Sequence, residues 1–64
     1  MKKVYRILYE NYGINGEDPE GITIEVDVVA GSMEKAIRKL RSSLPKSLEY
    51  NITIVEESES EVIL

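Results

Sequence analysis

Residues 21–30 alternate between apolar and polar side chains, and this run constrains the fold more than any other feature of the 64-residue chain. One side of the run carries Ile22, Ile24, Val26 and Val28, and the other carries Thr23, Glu25 and Asp27. A period of two predicts a strand with one buried face. The chain therefore has to form a sheet that is covered mainly on one side.

Two further strands are predicted. Residues 48–56 repeat the alternation, with Leu48, Tyr50, Ile52 and Ile54 on the buried side and Glu49, Asn51 and Thr53 on the other. Residues 2–10 place Tyr5, Ile7 and Tyr9 on one face, while Val4 and Leu8 flank Arg6 on the other. Because this strand is apolar on both faces, we expect it to be central in the sheet.

One helix is predicted between the second and third strands. Ser32 can accept a hydrogen bond from a free amide of the first helical turn, and Pro45 ends the helix nearby. An apolar stripe recurs at three- and four-residue spacing: Met33, Ala36, Ile37, Leu40 and Leu44. The helix is therefore amphipathic and packs its stripe on the sheet.

These elements predict an α+β fold with the order β-β-α-β, in which a three-stranded antiparallel or mixed sheet of order 2-1-3 carries one helix on one face. Residues 1–57 form the single domain, and residues 58–64 form a tail that is acidic and then apolar. We expect the uncovered sheet face to carry Val4, Leu8, Val29 and Val55 among Arg6, Glu25, Asp27 and Thr53. The connection 11–20 is expected to be a long hairpin loop with Tyr12 exposed at its tip.

The composition argues against catalysis and metal binding. The chain has no Cys and no His, which removes disulfides, thiolate metal sites and the commonest general base. No glycine-rich phosphate loop opens a helix, and no Ser gathers the partners of a catalytic nucleophile. The loop acids Glu17, Asp18 and Glu20 match no calcium-loop spacing. We predict a protein that is not an enzyme and has no metal or cofactor.

Localisation and assembly follow from length and hydropathy. No apolar run is long enough for export or for a membrane span, so we expect a cytoplasmic protein without membrane contact. A chain of this size buries a thin core, which favours a second copy or a partner. One alternative is therefore a structural homodimer held through Val4, Leu8 and Val62–Leu64.

The charges are segregated along the chain. All eight bases lie in two stretches, Lys2, Lys3 and Arg6 at the start and Lys35, Arg38, Lys39, Arg41 and Lys46 across the predicted helix. Twelve carboxylates occupy the remainder and give a net charge of −4. A second alternative is thus a small nucleic-acid binder that uses Lys35, Arg38, Lys39 and Arg41, although the acidic pI near 4.7 counts against it.

The run from Ile22 to Ile37, I-T-I-E-V-D-V-V-A-G-S-M-E-K-A-I, follows a strand that ends in Tyr9-Glu10. It resembles the V-x-V-x-A-x-S-x-E-E-A-I core of small DpnD/PcfM-like proteins of phages and mobile elements. The resemblance covers about half of the chain, and the family has no established catalytic residues. It implies a setting in which short accessory proteins and inhibitors of bacterial defence enzymes are common.

The leading hypothesis is a protein-interaction module that binds or inhibits a host protein such as a defence nuclease. Its contacts would come from the open sheet face, the loop and the tail: Val4, Leu8, Tyr12, Glu17, Asp18, Glu25, Asp27, Val55, Val62, Ile63 and Leu64.

Overall fold

A computed structural model describes residues 2–58, in which the elements follow the predicted β-β-α-β order. They are β1 (Lys3–Ile14), β2 (Ile22–Ala30), α1 (Met33–Ser43) and β3 (Leu48–Glu57). Both β2 and β3 pair antiparallel with β1, so the sheet order is β2-β1-β3 and the α+β prediction is confirmed. The predictions for Val62, Ile63 and Leu64 lie outside the described residues.

The core forms where α1 covers the central strand. Tyr5, Ile7 and Tyr9 of β1 are at most 5% exposed, and Ile7 is fully buried. Ala36 and Leu40 of α1 pack against them. This arrangement agrees with the prediction that the first strand is central, because a central strand has neighbours on both sides and the helix above it.

The helix begins and ends where local chemistry predicts. Ser32 has an extended backbone and its hydroxyl accepts a hydrogen bond from the Lys35 amide at 3.3 Å, which satisfies one free donor of the first turn. At the other end, the Leu44 amide donates to the Arg41 carbonyl before Pro45. The helix therefore ends at Ser43, and Lys46 lies in the following turn and not on the helix as predicted.

A β-bulge in β3 overturns one part of the predicted alternation. Ile52 pairs with Tyr9 and Ile54 pairs with Leu8, so β3 has one more residue than β1 across this step. The extra residue, Thr53, shifts the faces: Val55 lies opposite Ile7 and packs on the core, whereas Ile54 is 47% exposed on the open side. The expectations that Ile54 is buried and that Val55 lies on the open face are therefore wrong.

The hairpin between β1 and β2 is shorter than predicted. β1 continues through Asn11–Ile14 because β3 supplies pairing partners there, with Tyr50 opposite Asn11 and Leu48 opposite Ile14. Asn15 and Gly16 both have positive φ, and the Glu17 amide donates to the Ile14 carbonyl at 3.3 Å, which matches a tight type I′ turn. Only residues 15–21 connect the strands.

Candidate interaction surfaces

The sheet face opposite α1 is not covered by any described residue, and we call it the open face. It carries two apolar pairs directly across neighbouring strands, Val4 with Val29 and Leu8 with Ile54. Val29 and Ile54 are 39% and 47% exposed, while Val4 and Leu8 are half-buried. The two pairs stand four residues apart along β1, about 13 Å at the usual rise of a strand.

A charged cluster separates the two apolar pairs. The Arg6 guanidinium lies 2.9 Å from a Glu25 carboxylate oxygen and 3.9 Å from those of Asp27 and Glu56. One base shared by three acids leaves a formal charge of −2. Every member is about half exposed, so each ion pair contributes at most about 1 kcal/mol to stability. The cluster therefore contributes little to stability and gives the middle of the open face a negative charge.

Sequence reasoning missed Ile54 and wrongly included Val55 on this face. Two neighbouring β-branched residues, Ile54-Val55, break the alternation of β3, and that break was the available signal of a bulge. The bulge itself is held by the Thr53 hydroxyl, which donates to the Leu8 carbonyl at 3.2 Å. Val4, Leu8, Glu25 and Asp27 are brought together on the open face in agreement with their predicted side.

The predicted loop residues lie at different places, and Tyr12 is on the same side of β1 as Leu8 and Glu10. Tyr12 lies in β1 and is half-buried, not exposed at a loop tip, and its hydroxyl donates a short hydrogen bond to Glu10. That hydrogen bond, more than burial and the nearby negative charge, raises the pKa of Tyr12 above 10.0. Asp18 closes the turn instead, since its carboxylate oxygen accepts from the Gly21 amide at 3.3 Å.

The outer surface of α1 is a second candidate. It presents the exposed side chains of Lys35, Arg38, Lys39 and Arg41. Two shallow grooves cross it and share Arg38 and Ser42 among their lining residues. This surface and the open face lie on opposite sides of the two-layer domain and carry opposite charge.

Other classes of site are not found in the described residues. Within residues 2–58, no three acidic residues are grouped so that they could hold a metal ion. The one helix in that range, with 11 residues, is too short to span a membrane.

Comparison of the chain with known protein families, with curated proteins and with solved structures finds no match. The resemblance to DpnD/PcfM-like proteins therefore stays a prediction from the sequence.

Proposed function

We propose that this protein is a non-enzymatic interaction module that binds another protein through the open face. The observation that carries the proposal is the pair of exposed apolar contacts, Val4–Val29 and Leu8–Ile54, on a sheet face that no described residue covers. Interfaces commonly bury such apolar anchors and surround them with polar groups. Here the anchors lie on a rigid sheet, so little conformational entropy is lost on binding.

The charge between the anchors indicates the chemistry of the partner. The −2 cluster around Arg6 favours a surface that presents Lys or Arg beside aliphatic side chains. A nuclease has basic residues of this kind in the groove that holds its substrate. With the mobile-element setting that the family resemblance implies, we propose a host defence nuclease as the partner.

Self-association through the open face is disfavoured by the same charges. Stacking two open faces would bring six carboxylates and two guanidinium groups together. Their net charge is −4, twice that of a single face. Like charges in a closed interface cost several kcal/mol. The structural homodimer of the sequence analysis is therefore the weaker candidate.

The test compares two double variants, each of which replaces two exposed apolar residues by Ser. One variant changes the open face and the other changes residues away from it. Val29→Ser with Ile54→Ser removes the exposed half of each apolar pair. Ile22→Ser with Met33→Ser is the control, because these residues are 63% and 43% exposed but lie away from the open face. Each immobilised protein is incubated with native host lysate, captured proteins are identified by mass spectrometry, and the affinity of the purified partner is then measured.

The proposal predicts a partner whose affinity falls at least about tenfold in the open-face variant and changes little in the control, which corresponds to about 1.4 kcal/mol. Inhibition of a captured nuclease should weaken in parallel. Equal binding of the partner by both variants would overturn the proposal. So would light scattering that shows a dimer for the unmodified protein and the control but a monomer for the open-face variant.

A further inference from the structure

Three cations of α1 lack the ion pairs that Lys3 and Arg6 form among the described residues. Lys3 and Arg6 form ion pairs with carboxylates of β2 and β3. Within residues 2–58, by contrast, no carboxylate lies within ion-pair distance of Lys35, Arg38 or Arg41. The carboxylates of residues 2–58 therefore do not form ion pairs with these helix charges.

Lys39 has a structural role. Its ammonium group donates to the Val29 carbonyl on the edge of β2 at 2.7 Å and ties the helix to the sheet. This contact occupies one backbone acceptor on an edge strand, where free acceptors invite unwanted pairing. Lys35, Arg38 and Arg41, which form no ion pair with any residue of the described range 2–58, remain for a ligand.

From this surface we propose a second binding activity: the outer face of α1 binds the phosphate backbone of double-stranded nucleic acid without reading its sequence. Lys35 and Arg41 are six residues apart, which is about 9 Å along the helix. That length covers two to three phosphates at about 3.4 Å of duplex axis each. The two guanidinium groups can each form paired hydrogen bonds with phosphate oxygens.

The outer surface of α1 has few apolar anchors and no aromatic rings, which favours a duplex over a protein or a single strand as the ligand. Protein interfaces need apolar anchors that lose their water on binding. On α1, Met33 is the only large apolar residue that is more than one-third exposed. Single-stranded nucleic acids are held by stacking on aromatic rings. Tyr5, Tyr9 and Tyr50 pack in or against the core and not on the outer helix. A duplex requires neither anchor nor ring.

Salt dependence gives the expected size of the effect. Three neutralised phosphates give a slope of about −2.7 for the logarithm of affinity against the logarithm of salt concentration. Affinity for a DNA duplex of 20 base pairs should then fall about 40-fold between 50 and 200 mM salt. Replacing Arg38→Gln and Arg41→Gln should reduce the slope to about −0.9 and weaken binding at least tenfold at 50 mM.

The experiment measures fluorescence anisotropy of the labelled duplex with the full chain. The control is Lys2→Gln with Lys46→Gln, which removes the same charge from exposed positions off the helix. A weak, salt-dependent affinity that the helix variant loses and the control retains supports the proposal. Circular dichroism verifies that both variants are folded.

Three results would overturn it: no binding at 50 mM salt, equal loss in both variants, or tighter binding to a single strand of the same length. Tighter binding to poly-L-glutamate than to duplex at equal charge concentration would also overturn it and would assign the helix to an acidic protein. None of these results depends on whether the open face binds its own partner.

Discussion

Replacing Val55 with Thr should destabilise the protein more than the same replacement at Ile54. Thr has nearly the shape of Val and keeps its β-branch, so strand propensity changes little at either site. Val55 packs on the core opposite the fully buried Ile7. A hydroxyl placed there without a partner costs about 1–3 kcal/mol.

At Ile54 the cost should be smaller because the side chain is 47% exposed and its hydroxyl would remain hydrated. The replacement removes two carbons, each worth about 0.8 kcal/mol when fully buried. Because about half of the side chain is already exposed to water, the expected loss is about 0.8 kcal/mol. We therefore expect a difference of about 1 kcal/mol between the variants, which is a difference of roughly 4–8 °C in Tm for a domain of this size.

Urea unfolding followed by far-UV circular dichroism measures both free energies, provided that the m-value is unchanged. Nuclear Overhauser contacts between the methyl groups of Val55 and Ile7 in the unmodified protein test the same register independently. If Ile54→Thr is the more destabilising change and these contacts are absent, then β3 has no bulge and the assignment of Ile54 to the open face is wrong.

Two further predictions concern the hairpin. Gly21→Ala should destabilise the protein by about 1–3 kcal/mol in urea unfolding, and by more than Gly16→Ala. Both glycines have a φ of 72°, so the backbone strain is the same. A Cβ at Gly21 would lie 2.8 Å from the Tyr12 ring, whereas a Cβ at Gly16 would lie 3.4 Å from its nearest atom. Equal losses would show that backbone strain alone matters. The Glu10 hydrogen bond raises the pKa of Tyr12 above its ordinary value of 10.0 in the folded chain, so the stabilisation that this bond gives is present below pH 10 and is lost as pH rises through the raised pKa. Unfolding free energy should therefore fall more steeply above pH 10 than in Tyr12→Phe, and parallel curves would contradict the role of the Glu10 hydrogen bond.

Local patterns were sufficient to predict the elements and their order. The alternation in β2, the Ser32 cap and the apolar stripe of α1 depend on near neighbours, and the structure confirms the cap and most of both patterns. The exceptions lie at the ends of the elements, where Ile22 is 63% and Met33 43% exposed and Leu44 follows the helix. The central position of β1 followed from its two apolar faces, because only a central strand has so much to bury. These features are sufficient to define the topology without the pairing register.

The candidate sites depended on register, which near neighbours do not determine. Thr53 is a bulge residue because β1 and β3 are paired on both sides of it. This single extra residue moves Ile54 to the open face and Val55 to the core. In the same way, β1 passes through Asn11–Ile14 because β3 offers partners, although Asn and Gly are typical of a loop.

By itself, therefore, the sequence determined which elements form, their order and the separation of acidic from basic segments. Tertiary structure alone decided that Arg6 gathers three carboxylates across three strands and that Lys35, Arg38 and Arg41 find none among the described residues. The physical reason is that secondary structure depends on residues within one or two turns. An ion pair or an exposed apolar pair depends on distances between strands that are far apart in the chain.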